Sequence, residues 1–152
     1  LVLYYLIRRP QIFALEYTPP PAAAPAKYAR QSLDADTRQS HLQRIQAFME
    51  AEQPYLNEEL TLSELARAVA IPEHHCSMVI NIELQQNFFQ FINAYRVDAA
   101  RRLLADPKLS SDTLLSIAYR AGFQSKAAFN KVFKRFTGQT PGQYRDAFAL
   151  NR

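Results

Sequence analysis

The sequence predicts an all-α fold of about seven helices, and three observations support this prediction. Hydrophobic residues make up 48% of the 152 residues, which is enough for a folded core, and the chain contains only 3 glycines. Long alternating runs of β-branched residues, the pattern typical of strands, are absent from the sequence. Apolar residues instead recur three and four positions apart, as they do along the buried face of a helix.

The first two helices are predicted from their start signals and their apolar spacing. Helical periodicity begins at Asp34 and ends before Pro54. Its apolar positions are Leu42, Ile45, Phe48 and Met49. A second helix is predicted over residues 62–69, because Thr61 and Glu64 stand at the spacing of a capping box. In that motif each side chain satisfies a backbone N–H group of the other residue.

Two further helices follow in the middle of the chain. A third helix begins after Pro72, with Glu73 favourably placed in its first turn. Its buried face is expected to hold Cys76, Val79 and Ile80. Asn87 is a candidate cap for a long fourth helix, which Asp106 and Pro107 end. The apolar face of that helix is expected to hold Phe88, Phe91, Ile92, Tyr95, Ala99 and Leu103.

Three shorter helices complete the predicted fold. Asp112 is a candidate cap for the fifth helix and Ser125 for the sixth. The sixth helix is expected to bury Phe129, Val132, Phe133 and Phe136. Gly138 is expected to end this helix in a left-handed conformation. Thr140 and Gln143 form a second capping-box pattern around Pro141, which predicts the start of the last helix.

The chain contains an internal repeat of about 52 residues. In each copy a short helix leads through a turn into a second helix, which is the helix-turn-helix pattern. Leu65-Ala66 corresponds to Ile117-Ala118, Ala70 to Gly122, and Cys76 to Phe129. We therefore predict two helix-turn-helix units, at about residues 61–82 and 112–136, joined by a linker helix at about 87–105.

The charge distribution favours binding of a polyanion by the C-terminal half of the chain. Residues 34–85 carry nine acidic and three basic side chains, whereas residues 86–152 carry eleven basic and four acidic side chains. The second helix of the second unit is apolar on one face and carries Lys, Asn and Arg on the other. This arrangement is typical of a helix that enters DNA.

The N-terminal residues divide into a tail and a linker that precede the predicted domain at residues 32–152. In the tail, residues 1–17, the apolar run Leu1–Ile7 is followed by Arg8 and Arg9. Seven residues cannot cross a bilayer, which needs roughly 20. They could end a membrane helix whose beginning lies upstream, or a helix of a soluble upstream domain. The residues at 18–31 are rich in Pro and Ala, which predicts an extended spacer.

Several classes of protein are disfavoured by the sequence. It lacks a Walker loop, a Rossmann glycine run and a His-Glu-x-x-His zinc motif. The single Cys76 excludes an internal disulfide and is expected on a buried face. The run His74-His75-Cys76 is not expected to bind a metal, because adjacent helical residues diverge and His41 is expected in a distant helix. We therefore predict neither a metal, nor a cofactor, nor an enzyme.

Over about residues 55–147 the chain resembles the DNA-binding domain of the AraC/XylS family of bacterial transcription regulators. The resemblance rests on Ile117-Ala-x-x-Ala-Gly-Phe-x-Ser-x-x-x-Phe-x-x-x-Phe-Lys-x-x-x-Gly-x-Thr-Pro-x-x-Tyr-Arg145. Residues 79–81 and 87–97 are similar to a subgroup in which this domain often follows a multi-pass membrane region. The resemblance therefore implies a cytoplasmic domain and favours a tether to the inner membrane through residues 1–17.

The resemblance also implies how the chain would meet its partners. Those partners would be double-stranded DNA, RNA polymerase, and a second copy bound through the upstream region. The second helix of each unit would enter a major groove, with the linker helix setting the two about one duplex turn, ~34 Å, apart. In the first recognition helix, at about 73–81, the expected outward residues are His74, His75, Ser77, Met78 and Asn81. In the second, at about 125–136, they are Ser125, Lys126, Ala127, Asn130, Lys131 and Lys134.

The two recognition helices differ in chemistry. Lys126 and Lys131 can donate to guanine or to phosphate, and Asn130 can pair with adenine. Phosphate contacts are expected of Lys134, Arg135 and Arg145. The chain carries no Lys or Arg between Arg67 and Arg96, so the second unit is expected to dominate affinity. Ala70 and Gln85 stand where turn glycines are common in the family, and Met78 where a basic residue is common.

Two alternatives to a DNA-reading regulator follow from the same residues. The uncharged first unit could bind a protein partner, leaving only the second unit on DNA. The fold could also be an appendage of an enzyme, as in alkyl-transfer repair proteins. That alternative requires a reactive cysteine outside the core, whereas Cys76 is expected inside it.

Overall fold

The computed structural model of the chain describes residues 33–150. The predicted tail, and the predicted linker at 18–31, lie outside the described residues. Within the described part, no helix is both long and apolar enough to span a membrane.

The described residues form seven α-helices and no strand, so the predicted all-α fold is confirmed. The helices are α1 Ala35–Glu52, α2 Leu62–Ala68, α3 Glu73–Leu84, α4 Phe88–Ala105, α5 Leu114–Arg120, α6 Lys126–Thr137 and α7 Pro141–Leu150. Two short 3-10 turns, which the sequence pattern did not predict, lie at Pro54–Leu56 and Pro107–Leu109.

The chain folds into two compact units whose residues are not contiguous in sequence. Of the described residues, the first unit holds those up to Gln53 together with Thr61–Phe88. The second unit holds Pro54–Leu60 and the residues from Phe89 onward. We call Pro54–Leu60 the strap. It connects α1 to α2 of the first unit but belongs to the second.

The first unit is a three-helix arrangement in which α1 and α2 both pack on α3. Its core residues are Leu42, Ile45, Met49, Leu65, Ala66, Cys76, Met78, Val79 and Ile80. The capping box predicted for α2 is present: Thr61 Oγ1 accepts from Glu64 N at 3.2 Å, and Glu64 Oε2 accepts from Thr61 N at 2.8 Å. Arg38 on α1 forms an ion pair with Glu83 on α3, with Nε and Oε1 2.7 Å apart.

Non-glycine residues occupy three left-handed positions in the first unit, at Gln53, Ala70 and Gln85. Ala70, in the turn between α2 and α3, has a φ of 49°, and Gln85, at the end of α3, has a φ of 56°. The left-handed conformation of a residue with a Cβ lowers stability by about 1–2 kcal/mol. The turn at Ala70 therefore carries the strain that its sequence predicts. Glycine occupies the corresponding turn of the second unit, because Gly122 has a φ of 83°.

The second unit contains the aromatic residues that support α6. Neighbouring rings form a continuous chain through Phe123, Phe129, Phe133, Tyr144 and Phe148, with centroids 5.1–5.4 Å apart. The turn before α6 lies against the strap, since a Cβ on Gly122 would overlap the carbonyl oxygen of Tyr55. Arg96 holds the strap, donating from Nε to Tyr55 O at 2.8 Å and from Nη2 to Asn57 O at 2.9 Å.

Two local predictions about the helices were wrong. The cap of α5 is Thr113, whose Oγ1 accepts from Ser116 N at 3.1 Å, and not Asp112. Asp112 lies one residue earlier, and its Oδ2 accepts from Arg120 Nη1 at 3.1 Å. On α4 the buried leucine is Leu104, whereas the expected Leu103 is only half-buried.

Candidate nucleic-acid interface

The helix α6 is held by its ends and by one buried face. Ser125 Oγ caps its start by accepting from Ala128 N at 3.1 Å, as predicted. Gly138 ends it in the left-handed conformation with a φ of 77°, also as predicted. Phe129 and Phe133 are fully buried, so rotation of the helix about its axis would expose large aromatic area. The opposite face is thereby fixed towards solvent.

The exposed face of α6 is strongly basic. It carries four exposed cations, namely Lys126, Lys131, Lys134 and Arg135. The helix contains no acidic residue. Within residues 33–150 none of the four forms an ion pair. A face with several unpaired cations attracts a polyanion and can release its counterions.

The polar and small residues predicted for α6 differ in the DNA groups that they could contact. Ala127 is exposed and can offer only a methyl group, which suits contact with a thymine methyl. Asn130 is half-buried beside the lysines. Ser125 is exposed, but its Oγ already accepts the capping hydrogen bond. Asn130 is therefore the residue of this set with an amide suited to reading a base.

Arg145, expected to contact phosphate, makes a contact inside the second unit. Its Nη1 donates to Asp112 O at 2.8 Å, and the side chain is half-buried. This hydrogen bond links α7 to the residues just before α5. The sequence pattern did not reveal it, because the partner is a backbone carbonyl 33 residues away.

A second supporting contact that the sequence did not reveal lies behind α6. Arg101 on α4 donates from Nε to Tyr144 Oη at 3.0 Å. The ring of Tyr144 meets Phe133 edge to face, with centroids 5.3 Å apart. Arg101 thus orients the aromatic side chain on which the buried face of α6 rests.

The helix α3, predicted to be the first recognition helix, has a different surface. His74 is exposed, while His75, Ser77 and Asn81 are half-buried. The Asn81 amide donates from Nδ2 to Ser77 O at 2.8 Å, so one of its donors is used within the helix. No side chain caps the start of α3, where Pro72 precedes Glu73.

Met78 was expected to point outward, and this prediction was wrong. Its side chain is only 2% exposed. Because α1 and α2 both pack on α3, the buried arc of the helix is wider than the stripe of Cys76, Val79 and Ile80. Met78 lies at the edge of that wider arc and contributes to the core.

The three histidines lie together, against the expectation that His41 is distant. The ring of His41, on α1, stacks on His75 with centroids 5.8 Å apart. The ring of His74 lies 4.2 Å from that of His75. Among the described residues no group of three or more His, Cys, Asp or Glu side chains has the arrangement of a metal site.

The Cys76 thiol is buried, as predicted. Its side chain is 0% exposed, and burial raises the pKa of the thiol to about 11. A thiol of this kind is protonated at neutral pH and out of reach of large substrates. Cys76 therefore acts as a small core residue.

Two helix-turn-helix units, one of which has a basic face on its second helix without an ion-pair partner among residues 33–150, define a DNA-binding module of the type found in bacterial transcription regulators. Comparison with known proteins identifies the family. Residues 65–147, more than half of the chain, match the family described as a helix-turn-helix domain. The chain belongs to this family, in its AraC-type branch, which is a class of regulators and not of enzymes.

Similar proteins include curated regulators and solved structures. The chain is 38% identical over 91 residues to an uncharacterized HTH-type transcriptional regulator of Staphylococcus aureus (strain COL), covering 60% of this chain and 12% of the relative. It is similar to the C-terminal domain of AraT, a response regulator from Geobacillus stearothermophilus, with a TM-score of 0.57, 26% identity, and coverage of 70% of this chain and 84% of that one. A protein of unknown function from Listeria innocua matches with a TM-score of 0.59 and 26% identity, over 70% of this chain and 95% of that one.

The chain thus spans about an eighth of the length of the staphylococcal relative. The matched part is the helix-turn-helix domain.

Proposed function

We propose that the chain is the DNA-reading part of a bacterial transcription regulator, and that α6 supplies most of the affinity. The observation that carries this proposal is the exposed face of α6, where four cations have no ion-pair partner within the described residues. Lys126 and Lys131 would contact bases or phosphates, Asn130 would read adenine, and Lys134 and Arg135 would bind phosphates. Membership in the family supports the same reading.

The helix α3 would enter the adjacent major groove and adjust specificity. His74 is its exposed polar side chain near the start of the helix, followed by the half-buried His75, Ser77 and Asn81. Neutral imidazoles, hydroxyls and amides can hydrogen-bond to bases but attract phosphate only weakly. Met78 is buried in the core, so it is not part of this proposal.

Substitution of the α6 lysines tests this proposal. Binding of a labelled duplex to the double variant K126A/K131A would be measured by anisotropy over a range of salt concentrations. Each lost phosphate contact should lower the slope of log affinity against log salt by about 1, with a loss of affinity that increases as salt is lowered. The control is K108A, which removes another exposed lysine, from the 3-10 turn after α4.

Each result of this binding experiment leads to a different conclusion. If K126A/K131A binds with the wild-type affinity and salt slope, α6 is not the DNA-binding helix. If K108A weakens binding as much as the double variant, the effect is general charge and not a site on α6. A larger loss from H74A/S77A than from K126A/K131A would reverse the proposed roles of the two units.

A second candidate function concerns the first unit alone. Residues 68–84 include no Lys or Arg, and Asn81 already uses a donor within α3. These observations favour a version in which α3 binds a protein partner and only the second unit contacts DNA. Scrambling one half of a bound duplex distinguishes the two versions. Loss of affinity when either half is scrambled supports two DNA-reading units, whereas dependence on one half supports the second candidate.

We further propose that this domain works together with RNA polymerase and with a second copy of the protein. We also propose that residues 1–17 tether it to the cytoplasmic face of the inner membrane. The apolar run ending at Arg8 and Arg9 supports the tether. Fractionation of cells that express the longer protein tests it. Recovery in the soluble fraction would contradict the tether without affecting the proposal for α6.

A further inference from the structure

The histidines of the chain form a cluster that DNA reading by α6 does not require. The chain has 3 histidines in 152 residues. All three lie in the first unit, although His41 is 33 positions before His74 in the sequence. His41 and His75 stack across the α1–α3 contact with ring centroids 5.8 Å apart. His74 borders the pair from the same helix as His75.

Each ring of the stacked pair buries one nitrogen atom. The Nδ1 atoms of His41 and His75 are both buried, and within the described residues neither has a hydrogen-bond partner. A buried unpaired acceptor lowers stability, but a buried N–H group without an acceptor on a charged ring would lower it more. Protonation of His75 would put such an N–H group at its Nδ1 atom and a positive charge against the ring of His41.

Within the described residues, no carboxylate forms an ion pair with His75. The other charged side chains on α1, α2 and α3 are Asp36, Arg38, Arg44, Glu50, Glu52, Glu64, Arg67, Glu73 and Glu83. Glu83 is paired with Arg38, and Glu64 accepts from Thr61. Arg44 lies by the turn, donating from Nη2 to Ala70 O at 3.4 Å. Burial is the largest cause that lowers the pKa of His75, followed by His74 and then His41.

We propose that the His41–His75 stack is a pH-sensitive latch, which holds α1 on α3 at neutral pH and releases it when His75 is protonated. Since the folded arrangement favours the neutral ring, the stabilisation is present above the ordinary imidazole pKa of about 6.5. It is lost as the pH falls through the lowered pKa of His75. Release would remove Leu42, Ile45 and Met49 from the core that supports α3.

The latch itself does not depend on DNA, whereas its consequence for DNA affinity rests on the proposed function. Loss of α1 would disorganise α3 and weaken binding through the first unit, leaving α6 in place. Acidification should therefore reduce the contribution of one half of a bound duplex only. The latch can be tested without DNA, so its failure and the failure of the proposed function are distinguishable.

Hydrogen exchange of the full chain tests the latch. Opening constants of α1 amides, normalised to the exchange rate of an unstructured peptide at each pH, would be compared at about pH 7.5 and about pH 5.5. We expect α1 opening to increase on the order of tenfold for each unit by which protonation of His75 is disfavoured, with little change in α6. H75Q should remove this dependence. H41Q, which removes the stacked ring, and H74Q, which removes the neighbouring ring, should each reduce it.

Equal α1 opening at both values, or wild-type dependence in both H41Q and H75Q, would overturn the latch. If one variant fails to fold, the other removes the same stack from the opposite helix. An independent readout is the imidazole titration of His75 by NMR, whose midpoint should rise in H41Q. An unchanged His75 midpoint in H41Q would also overturn the proposal.

Discussion

Replacement of Gly122 by alanine should destabilise the second unit far more than the same change at Gly138. Both glycines are left-handed, with φ values of 83° and 77°, so an added Cβ costs each about 1–2 kcal/mol of backbone strain. Only at Gly122 would the Cβ overlap Tyr55 O, and it would lie 3.0 Å from Leu56 Cα. At Gly138 the added Cβ would have no atom of the described residues within 4 Å, apart from those of Gly138 and its two chain neighbours.

The neighbours of Gly122 cannot yield easily, which sets the size of the effect. They are backbone atoms of the strap, and Arg96 donates hydrogen bonds to Tyr55 O and Asn57 O. Overpacking of this kind costs typically about 1–3 kcal/mol beyond the backbone strain. We therefore expect G122A to lose about 2–5 kcal/mol and G138A about 1–2 kcal/mol of the free energy of unfolding.

Urea unfolding followed by circular dichroism, together with hydrogen exchange of α6 amides, measures this difference. The exchange data are needed because the chain has two units and a single transition is not assured. Equal losses in G122A and G138A would refute the steric role of the strap. A loss in G122A confined to α1–α3 amides, with α6 unaffected, would refute its assignment to the second unit.

Three further predictions concern the first unit. M78K should abolish folding of that unit instead of adding a DNA contact, because the Met78 side chain is only 2% exposed. M78L, which conserves the volume, should lower the free energy of unfolding by less than about 1.5 kcal/mol. Urea unfolding of both variants compares the two effects. The Cys76 thiol, with a pKa of about 11, should resist thiol reagents in the native protein and react on unfolding, and fast native labelling would contradict its burial. T61A should lose about 1 kcal/mol at neutral pH. Two hydrogen bonds from Thr61, first from its backbone N–H and then from its hydroxyl, lower the pKa of Glu64. T61A removes only the hydroxyl bond, so the part of the difference due to that bond should disappear as the pH falls below the ordinary carboxyl value of about 4.3, as measured by urea unfolding across pH.

Features encoded within a few residues were predictable from the sequence. In the capping box at Thr61 and Glu64 and in the cap at Ser125, each side chain binds a backbone group three positions away. The left-handed Gly138 donates its backbone N–H to Lys134 O, four positions earlier. The buried face of α6 was also predictable, because Phe129 and Phe133 alone set its orientation. The exposed lysines of α6 follow from that face by helical geometry.

Features that depend on how distant segments pack were not predictable in the same way. Met78 is buried because two helices flank α3, and its own spacing carries no sign of this. His41 meets His75 through the α1–α3 contact, whose register the sequence does not specify. The strap belongs to the second unit although its neighbours in sequence belong to the first. Arg96 and Arg145 bind backbone carbonyls, which every residue has, so their partners leave no pattern in the sequence.

Selection of duplexes from a random pool by this chain tests DNA reading by the two units. If α3 and α6 both read DNA, the enriched duplexes should contain two conserved blocks about ten base pairs apart. One conserved block that K126A/K131A abolishes would leave α6 as the reading helix and the first unit as a surface for a protein partner. Enrichment of no sequence, with binding that vanishes at moderate salt, would contradict sequence-specific recognition by this domain.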